Sequence, residues 1–297
     1  MKIISVTGLQ KKYGNVQALK GISFEVGRGE IFAMLGPNGS GKTTTLEILL
    51  GLRRHDGGKV EHFDAKGQAG PMPRVGAVFQ GRVYYESLTV SELIKYYGEL
   101  YRAPPPDISR YLDMVNLKEK LDTQYGNLSG GQQQQIAIIL ALVNDPEVLF
   151  FDEPSNALDP QVRLKIWDLI RKLKSEGKTI IFTTHYIEEA EALADRVSIL
   201  SKGELVITDS PGNIIKKYNE NYTVEFSFEK DAGAGVFNRF SDVRFRDGIY
   251  SFSVDAIDGD LMQALTEISD KHKPSRISIG KSSLQSVFVK ITEEKVA

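Results

Sequence analysis

Short, mainly apolar segments of strand length recur along much of the chain. They lie at 31–35, 76–79, 148–151 and 179–184. Because these segments lack a regular alternation of apolar and polar residues, they are typical of strands in a parallel sheet that is covered on both faces. The sequence therefore predicts an α/β fold with a mostly parallel core sheet.

Between the second and third of these segments the pattern becomes helical. Leu93, Tyr97 and Leu100 recur at helical spacing. They predict a helix over 91–102 with these side chains on one face, ended by the three prolines at 104–106. A helical insertion between the strands of the sheet is therefore expected.

After residue 218 the pattern changes again, which predicts a second domain over 219–297 that is separate from the first domain, 1–218. Apolar and polar residues alternate over 222–228, and Asp247-Gly248 is a turn pair typical of a β-hairpin. A helical face and a last strand are predicted from Leu261, Leu265, Ile268, Ile277 and Ile279. The order strand, helix, hairpin, helix, strand predicts a small α+β ferredoxin-like domain, and we find no catalytic group of residues in it.

Composition limits the classes of protein to which this chain can belong. With 297 residues, 41% hydrophobic, it is long enough for two globular domains. The net charge of −2 provides no basic field for nucleic acid, and the absence of cysteine excludes disulfides, thiolate metal sites and cysteine nucleophiles. The longest apolar run, 136–143, is far shorter than the roughly 20 residues that span a bilayer, and the N-terminus is too short in its apolar part for a signal peptide. If the protein acts at a membrane, another subunit is expected to cross it.

The segment after the first predicted strand has the pattern GxxxxGK[ST] and then opens a predicted helix over 44–52. Strand, glycine-rich loop and helix together predict a P-loop, whose backbone N–H groups enclose the α- and β-phosphates of a nucleotide. Lys42 is expected to reach the β- and γ-phosphates and the Thr43 hydroxyl to bind Mg²⁺. The residues expected to bind the nucleotide here are Gly36, Pro37, Asn38, Gly39, Ser40, Gly41, Lys42, Thr43 and Thr44.

Polar residues follow three other predicted strands. Asp152 and Glu153 follow 148–151, His185 follows 179–184, and Gln80 follows 76–79. Ligands of open α/β sheets bind at the carboxyl ends of the strands. We therefore expect Asp152 to bind Mg²⁺, Glu153 to act as general base, and His185 and Gln80 to contact phosphate, metal or the attacking water.

A second glycine-rich segment, Leu128-Ser129-Gly130-Gly131-Gln132, precedes the apolar run at 136–143. A serine followed by two glycines and an apolar run predicts the N-terminus of a helix, which presents backbone N–H groups and the positive end of the helix dipole. Such a helix end can bind a phosphate. Two phosphate-binding segments in one chain suggest a nucleotide that is held from both sides.

Together these motifs resemble those of the ATP-binding subunit of ABC transporters, over residues 1–218. The resemblance implies that Tyr13 stacks on adenine, that residues 36–43 form the Walker A loop and that Gln80 is the Q-loop residue. It further implies roles for the signature Leu128, Ser129, Gly130, Gly131 and Gln132, for Asp152 (Walker B), Glu153 (catalytic glutamate), Asp159 (D-loop) and His185 (switch histidine).

The resemblance also implies cofactors, partners and location. ATP would be bound with Mg²⁺, which Thr43, Asp152 and Gln80 would contact. A second ATPase subunit, identical or different, would complete each site with its signature segment, and a separate transmembrane permease would anchor the pair at the cytoplasmic face of the membrane. An antiparallel β subdomain and a helical signature subdomain at about 82–143 are implied as well. The tail at 283–290 resembles that of ATPases serving multidrug and ABC-2 type exporters.

The chain departs from this family at two places. Gln135 stands where the family commonly carries arginine, and the segment 81–85, unlike the commonest family sequence, is expected to affect the choice of permease. An alternative function is a soluble ABC ATPase that acts as a regulatory or assembly factor on nucleic acid or ribosomes. The single ATPase unit and the absence of basic arms and heptads weigh against it. A degenerate, non-catalytic module is disfavoured by the complete set of motifs. The transported substrate is not encoded in this subunit.

Overall fold

The structure is a computed structural model, and it divides into two compact units, Met1–Pro211 and Gly212–Ala297. The sequence predicted the boundary one helix later, after residue 218. Each unit has its own hydrophobic core. The residues that the structure describes are 1–64, 66–80, 85–101, 107–218, 222–228, 233–281 and 283–294.

The strands in chain order are β1 (Lys2–Tyr13), β2 (Val16–Gly27), β3 (Ile31–Leu35), β4 (Gly57–Phe63), β5 (Ala69–Gly70), β6 (Val75–Val78), β7 (Val148–Asp152), β8 (Thr179–Thr184), β9 (Arg196–Ser201), β10 (Glu204–Asp209), β11 (Tyr222–Ser227), β12 (Arg244–Arg246), β13 (Ile249–Val254) and β14 (Arg276–Lys281). The helices are α1 (Lys42–Leu49), α2 (Val90–Leu100), α3 (Ser109–Met114), α4 (Gly130–Leu140), α5 (Pro160–Ser175), α6 (Ile187–Leu193), α7 (Pro211–Tyr218), α8 (Gly259–His272) and α9 (Leu284–Glu294). Short 3₁₀ turns lie at Lys118–Lys120, Tyr125–Asn127 and Ala234–Phe237.

The first unit is built on a six-stranded sheet of order β10-β9-β3-β8-β7-β6. All neighbouring strands in it are parallel except β9 and β10. Every residue of β3, β7 and β8 is buried, as the apolar segments predicted. The mostly parallel core sheet is therefore confirmed. It brings the carboxyl ends of β3, β7 and β8 to one edge of the sheet, where the predicted polar residues follow.

A second, antiparallel sheet of order β2-β1-β4-β5 belongs to the same unit. Its apolar face shares one core with the strands and first helix of the parallel sheet, and the rings of Phe24 and Phe32 stack at a centroid distance of 5.3 Å. This sheet is the antiparallel β subdomain that the family resemblance implied. It carries Tyr13 at the end of β1.

The helical region between β6 and β7 contains α2, α3 and α4. Thr89 caps α2, and its side chain forms a capping box with Glu92. Leu93 is buried in the face predicted for this helix, but Leu100 is 58% exposed, so that part of the predicted apolar stripe is wrong. The prolines at 104–106 and most of the segment 81–85 lie outside the described residues.

The second unit is an antiparallel sheet of order β12-β13-β11-β14, with α8 packed on one face. This order, with β11 between β13 and β14, is the strand order of the predicted ferredoxin-like domain. Asp247 and Gly248 turn the hairpin with φ of 51° and 80°, the left-handed pair that a type I′ turn needs. Of the helix predicted between the first two strands, the described residues 233–243 contain a 3₁₀ turn at Ala234–Phe237.

None of the helices described is both long enough and apolar enough to cross a membrane.

Candidate nucleotide-binding site

The P-loop leaves the carboxyl end of β3 and enters α1 at Lys42, two residues before the start of the helix that the sequence predicted over 44–52. Gly39 and Gly41 have φ of 77° and 106°, a conformation that side-chain-bearing residues rarely adopt. Gly36 is required for a different reason. A Cβ atom at Gly36 would lie 2.3 Å from the carbonyl oxygen of Leu200, so only glycine lets the loop pass this close to β9.

Replacing Gly36 with alanine is therefore expected to destabilise the first unit by about 1–3 kcal/mol, because the carbonyl of Leu200 belongs to a rigid strand and cannot move aside freely. Urea unfolding followed by circular dichroism measures this loss. Gly130→Ala is the matched control, since a Cβ atom there meets nothing within 4 Å. Equal unfolding midpoints for the two variants would contradict the close-approach argument.

The Lys42 side chain extends along the loop and is only 4% exposed. Its Nζ donates hydrogen bonds to the carbonyl oxygens of Gly36, at 2.8 Å, and Pro37, at 3.1 Å. The Glu153 carboxylate lies 3.7 Å away. Burial lowers the pKa of Lys42, while the neighbouring carboxylates of Glu153 and Asp152 oppose that shift. The ammonium group is thus held beside the backbone of the P-loop, where it can contact phosphate oxygens.

Asp152, the last residue of β7, and Thr43, in the first turn of α1, face each other. The Thr43 hydroxyl donates to both carboxylate oxygens, at 3.1 and 3.2 Å, and the Thr183 hydroxyl donates to one of them at 2.5 Å. Burial raises the pKa of Asp152, and these hydroxyl donors oppose that shift.

The same pair provides the oxygen donors that Mg²⁺ prefers. Among the described residues, no group of three or more His, Cys, Asp and Glu side chains is placed to hold a metal. Mg²⁺ is usually bound by one or two protein oxygens together with phosphate and water. Thr43 and Asp152 are therefore suited to the predicted Mg²⁺ site.

Glu153 is 8% exposed and has a left-handed backbone, with φ of 49°. Its N–H donates to the Thr183 hydroxyl oxygen at 3.0 Å, which ties the start of the loop to β8. Its carboxylate accepts a hydrogen bond from Asn156 Nδ2 at 3.0 Å and lies 3.2 Å from Nδ1 of His185, although that contact lacks hydrogen-bond geometry. The structure thus places the two residues that the sequence assigned to water activation side by side.

A cavity of about 450 Å³ lies over the P-loop. Residues from four separated segments line it, among them Tyr13, Lys42, Gln80 and Glu153. The structure therefore brings together the predicted base-stacking, phosphate-binding and catalytic residues from distant parts of the sequence. Ala18 and Asn156 also line the cavity. Asn156 begins the segment 156–159 that resembles the D-loop, whereas Ala18 was not among the predicted site residues.

Tyr13 stands at the edge of this cavity and is 38% exposed. The guanidinium of Arg53 lies 5.2 Å and Nζ of Lys11 lies 5.5 Å from the centroid of its ring, both within the range of cation–π attraction. Arg53 is in turn paired with Glu47 on α1. These contacts hold an exposed aromatic ring beside the cavity, as base stacking requires.

The signature segment forms the N-terminus of α4, as predicted. The Ser129 hydroxyl accepts from the N–H of Gln132 at 3.3 Å, and the Gln132 side chain accepts from the N–H of Ser129 at 3.0 Å. Ser129 and Gly130 are exposed. Neither the signature segment nor Asp159, which caps α5, is among the described residues that line the cavity over the P-loop.

Gln135 lies further along α4 and is 2% exposed. Its Nε2 has no hydrogen-bond partner among the described residues. The sequence indicated the loss of a charge at this position. The structure shows in addition that the replacing amide is buried.

Comparison with known proteins places this site in a family. The model of the family described as ABC transporter matches residues 19–156. A fluoroquinolones export ATP-binding protein of Mycobacterium tuberculosis is 34% identical over 297 residues, which cover 98% of this chain and 93% of that protein. The chain belongs to the ABC transporter family.

Other members of this family give the same assignment. The Nod factor export ATP-binding protein I of Ralstonia nicotianae is 39% identical over 221 residues, which cover 72% of this chain and 68% of that protein. The solved structure of cbiO1 from Clostridium perfringens, part of the ABC transporter complex cbiONQ, is 28% identical with a TM-score of 0.62, and covers 73% of this chain and 94% of its own. The protein is thus an ATP-binding subunit of this family, and its first unit has the fold of an ABC cassette.

Proposed function

We propose that this protein hydrolyses ATP to drive an exporter, in which two ATPase subunits close head to tail on ATP and a separate permease forms the path across the membrane. One observation carries the proposal. The cavity holds Lys42 and Glu153, whereas the other phosphate-binding helix end, at Ser129, lies outside that cavity and exposed. A second subunit can therefore supply the signature segment that completes each site.

The export function is supported by the relatives. Two of them are named as export ATP-binding proteins, for Nod factor and for fluoroquinolones. The tail that resembles those of ABC-2 type ATPases forms most of α9, in which Leu284, Val287 and Ile291 are buried. We assign the protein to the exporter group on these grounds, acting at the cytoplasmic face of the membrane through its permease.

The roles of the residues follow from their positions. Lys42 and the N–H groups of the P-loop bind the phosphates, and Tyr13 stacks on the adenine. Thr43 and Asp152, with Gln80 at the same cavity, would hold Mg²⁺, which neutralises phosphate charge when it is bound. Glu153 accepts a proton from the attacking water, Asn156 holds its carboxylate in place by a hydrogen bond, and His185 lies beside it. Closure of the dimer excludes bulk water from these groups.

The proposal is tested by purifying the tagged protein from membranes of its own cells and measuring ATP hydrolysis by the purified sample. Co-purification of a polytopic membrane protein together with ATP hydrolysis is expected. Ribosomes or DNA as the main partner would overturn the transporter function in favour of the assembly-factor alternative. A sample that binds ATP but never hydrolyses it, with or without the partner, would overturn the ATPase function.

Removal of the Asp152 carboxylate tests the Mg²⁺ site. Asp152→Asn is expected to raise the Mg²⁺ concentration that gives half-maximal ATP hydrolysis by about tenfold or more, because one charged oxygen ligand is lost. A magnesium titration of the ATPase rate measures it. Asp168→Asn, an exposed aspartate on α5, is the control and should leave the titration unchanged. Equal half-maximal Mg²⁺ concentrations for the two variants would contradict the assignment of Asp152 to the Mg²⁺ site.

A further inference from the structure

Glu189 is a buried acidic residue on α6 to which neither the motifs nor the proposed function assigns a role. It lies four residues after His185 in the sequence and is 0% exposed. An ionised carboxylate is costly to bury unless hydrogen-bond donors surround it. The donors around Glu189 therefore indicate what this side chain does.

Two side chains donate to the Glu189 carboxylate, one from the loop after β7 and one from α5. The Ser155 hydroxyl donates to Oε1 at 2.6 Å, and the indole Nε1 of Trp167, on α5, donates to the same oxygen at 3.1 Å. Ser155 is two residues after Glu153, and α6, which carries Glu189, begins two residues after His185. One carboxylate thus joins the loop that carries Glu153 to the helix that directly follows His185.

The burial and charge of the Glu189 carboxylate indicate a role other than packing in the core. Burial raises the pKa of the Glu189 carboxyl, and the hydrogen bonds from Ser155 and Trp167 together with the charge of Arg163 oppose that shift. The second oxygen of Glu189 and Nε of Arg163 are both buried without a hydrogen-bond partner among the described residues. A well-packed apolar side chain would often be no less stable at such a place. The carboxylate is therefore better explained by the geometry that it imposes than by a gain in stability.

We infer that Glu189 is a positioning residue for ATP hydrolysis, which sets the distance between the Glu153 carboxylate and the His185 ring through its hydrogen bond to Ser155 and its place on the helix that follows His185. This inference rests on the proposed ATPase function. It differs from the assigned roles because Glu189 itself contacts neither the cavity nor a phosphate-binding residue among those described. Small displacements of catalytic groups are costly, and an error of about 1 Å can lower a rate by about a hundredfold.

Two variants that each remove one hydrogen bond from Glu189 Oε1 test the inference. Ser155→Ala breaks the link to the loop of Glu153, and Trp167→Phe breaks the link to α5. We expect Ser155→Ala to lower kcat by about tenfold or more, while Trp167→Phe stays near the unaltered protein. The dissociation constant for ATP should be unchanged in both, because neither residue lines the cavity.

Variants at Glu189 itself complete the test. Glu189→Ala is expected to lower kcat at least as far as Ser155→Ala does, and Glu189→Gln, which keeps one acceptor oxygen, should restore part of the rate. Melting temperatures show which variants are folded. If Glu189→Ala does not fold, the inference is tested by the kcat values of Ser155→Ala and Trp167→Phe alone.

Two results would overturn the inference. One is an equal kcat for Ser155→Ala and Trp167→Phe; the other is a folded Glu189→Ala variant with an unaltered kcat. A purely structural role predicts that kcat and ATP affinity fall together with the melting temperature. Absence of hydrolysis in the unaltered protein would instead contradict the proposed function, so the two failures are distinguishable.

Discussion

Glu153→Gln is expected to lower the rate of ATP hydrolysis by about a hundredfold or more, because the amide cannot accept the proton of the attacking water. The variant should still bind ATP, since Lys42 and the P-loop are unchanged. Without hydrolysis the closed pair of subunits cannot reopen in the usual way. An ATP-dependent dimer should therefore accumulate, visible by size-exclusion chromatography with light scattering, while phosphate release measures the rate.

The substitution keeps the size of the side chain and one oxygen that can accept from Asn156, so the loop should keep its conformation. Glu188→Gln, which changes an exposed glutamate on α6, is the matched control and should hydrolyse ATP normally. If Glu153→Gln turned over ATP at the same rate as this control, Glu153 would not be the general base.

Ser129→Arg is expected to abolish hydrolysis while leaving ATP binding to the isolated subunit largely intact. The arginine would occupy the space in front of the N-terminus of α4, where a phosphate must approach the N–H groups. Because Ser129 lies outside the cavity over the P-loop, the first contact with ATP should not depend on it. Equilibrium binding of a fluorescent ATP analogue to the monomer, together with phosphate release, separates the two effects.

Part of any effect at Ser129 comes from the lost helix cap, worth about 1 kcal/mol. Ser129→Ala loses the same cap without adding bulk, so it should retain more activity than Ser129→Arg. Equal loss of monomer ATP binding and of hydrolysis in Ser129→Arg would show that the signature segment serves the site of its own subunit, and the head-to-tail dimer would be wrong.

Much of the fold could be predicted from sequence because local signals and burial agree there. The apolar runs 31–35 in β3 and 148–151 in β7 indicated a parallel sheet, and the Asp247-Gly248 pair indicated a hairpin. Leu100 shows the limit of such patterns. A helical stripe gives the direction of a side chain but not whether another element covers it, and the end of α2 is left exposed.

The site was predictable where its residues follow strands, since the parallel sheet brings those ends together. Glu153 and His185 are 32 positions apart in the sequence, yet their side chains lie 3.2 Å from each other. The supporting residues were not predictable. Thr183 and Glu189 act through hydrogen bonds to partners about 30 positions away, and no local pattern marks a threonine or a glutamate as the partner of a distant loop.

The backbone at the end of β7 has a consequence for engineering. Glu153 and Ala157 both adopt a left-handed φ, 49° and 57°, which costs residues with a side chain about 1 kcal/mol or more. A designer who sought heat resistance alone would introduce glycine or asparagine at both positions, since those residues tolerate the conformation. The substitution would remove the carboxylate at one position and loosen the loop at the other. Thermostabilised versions of this ATPase should therefore be sought in substitutions outside 153–157.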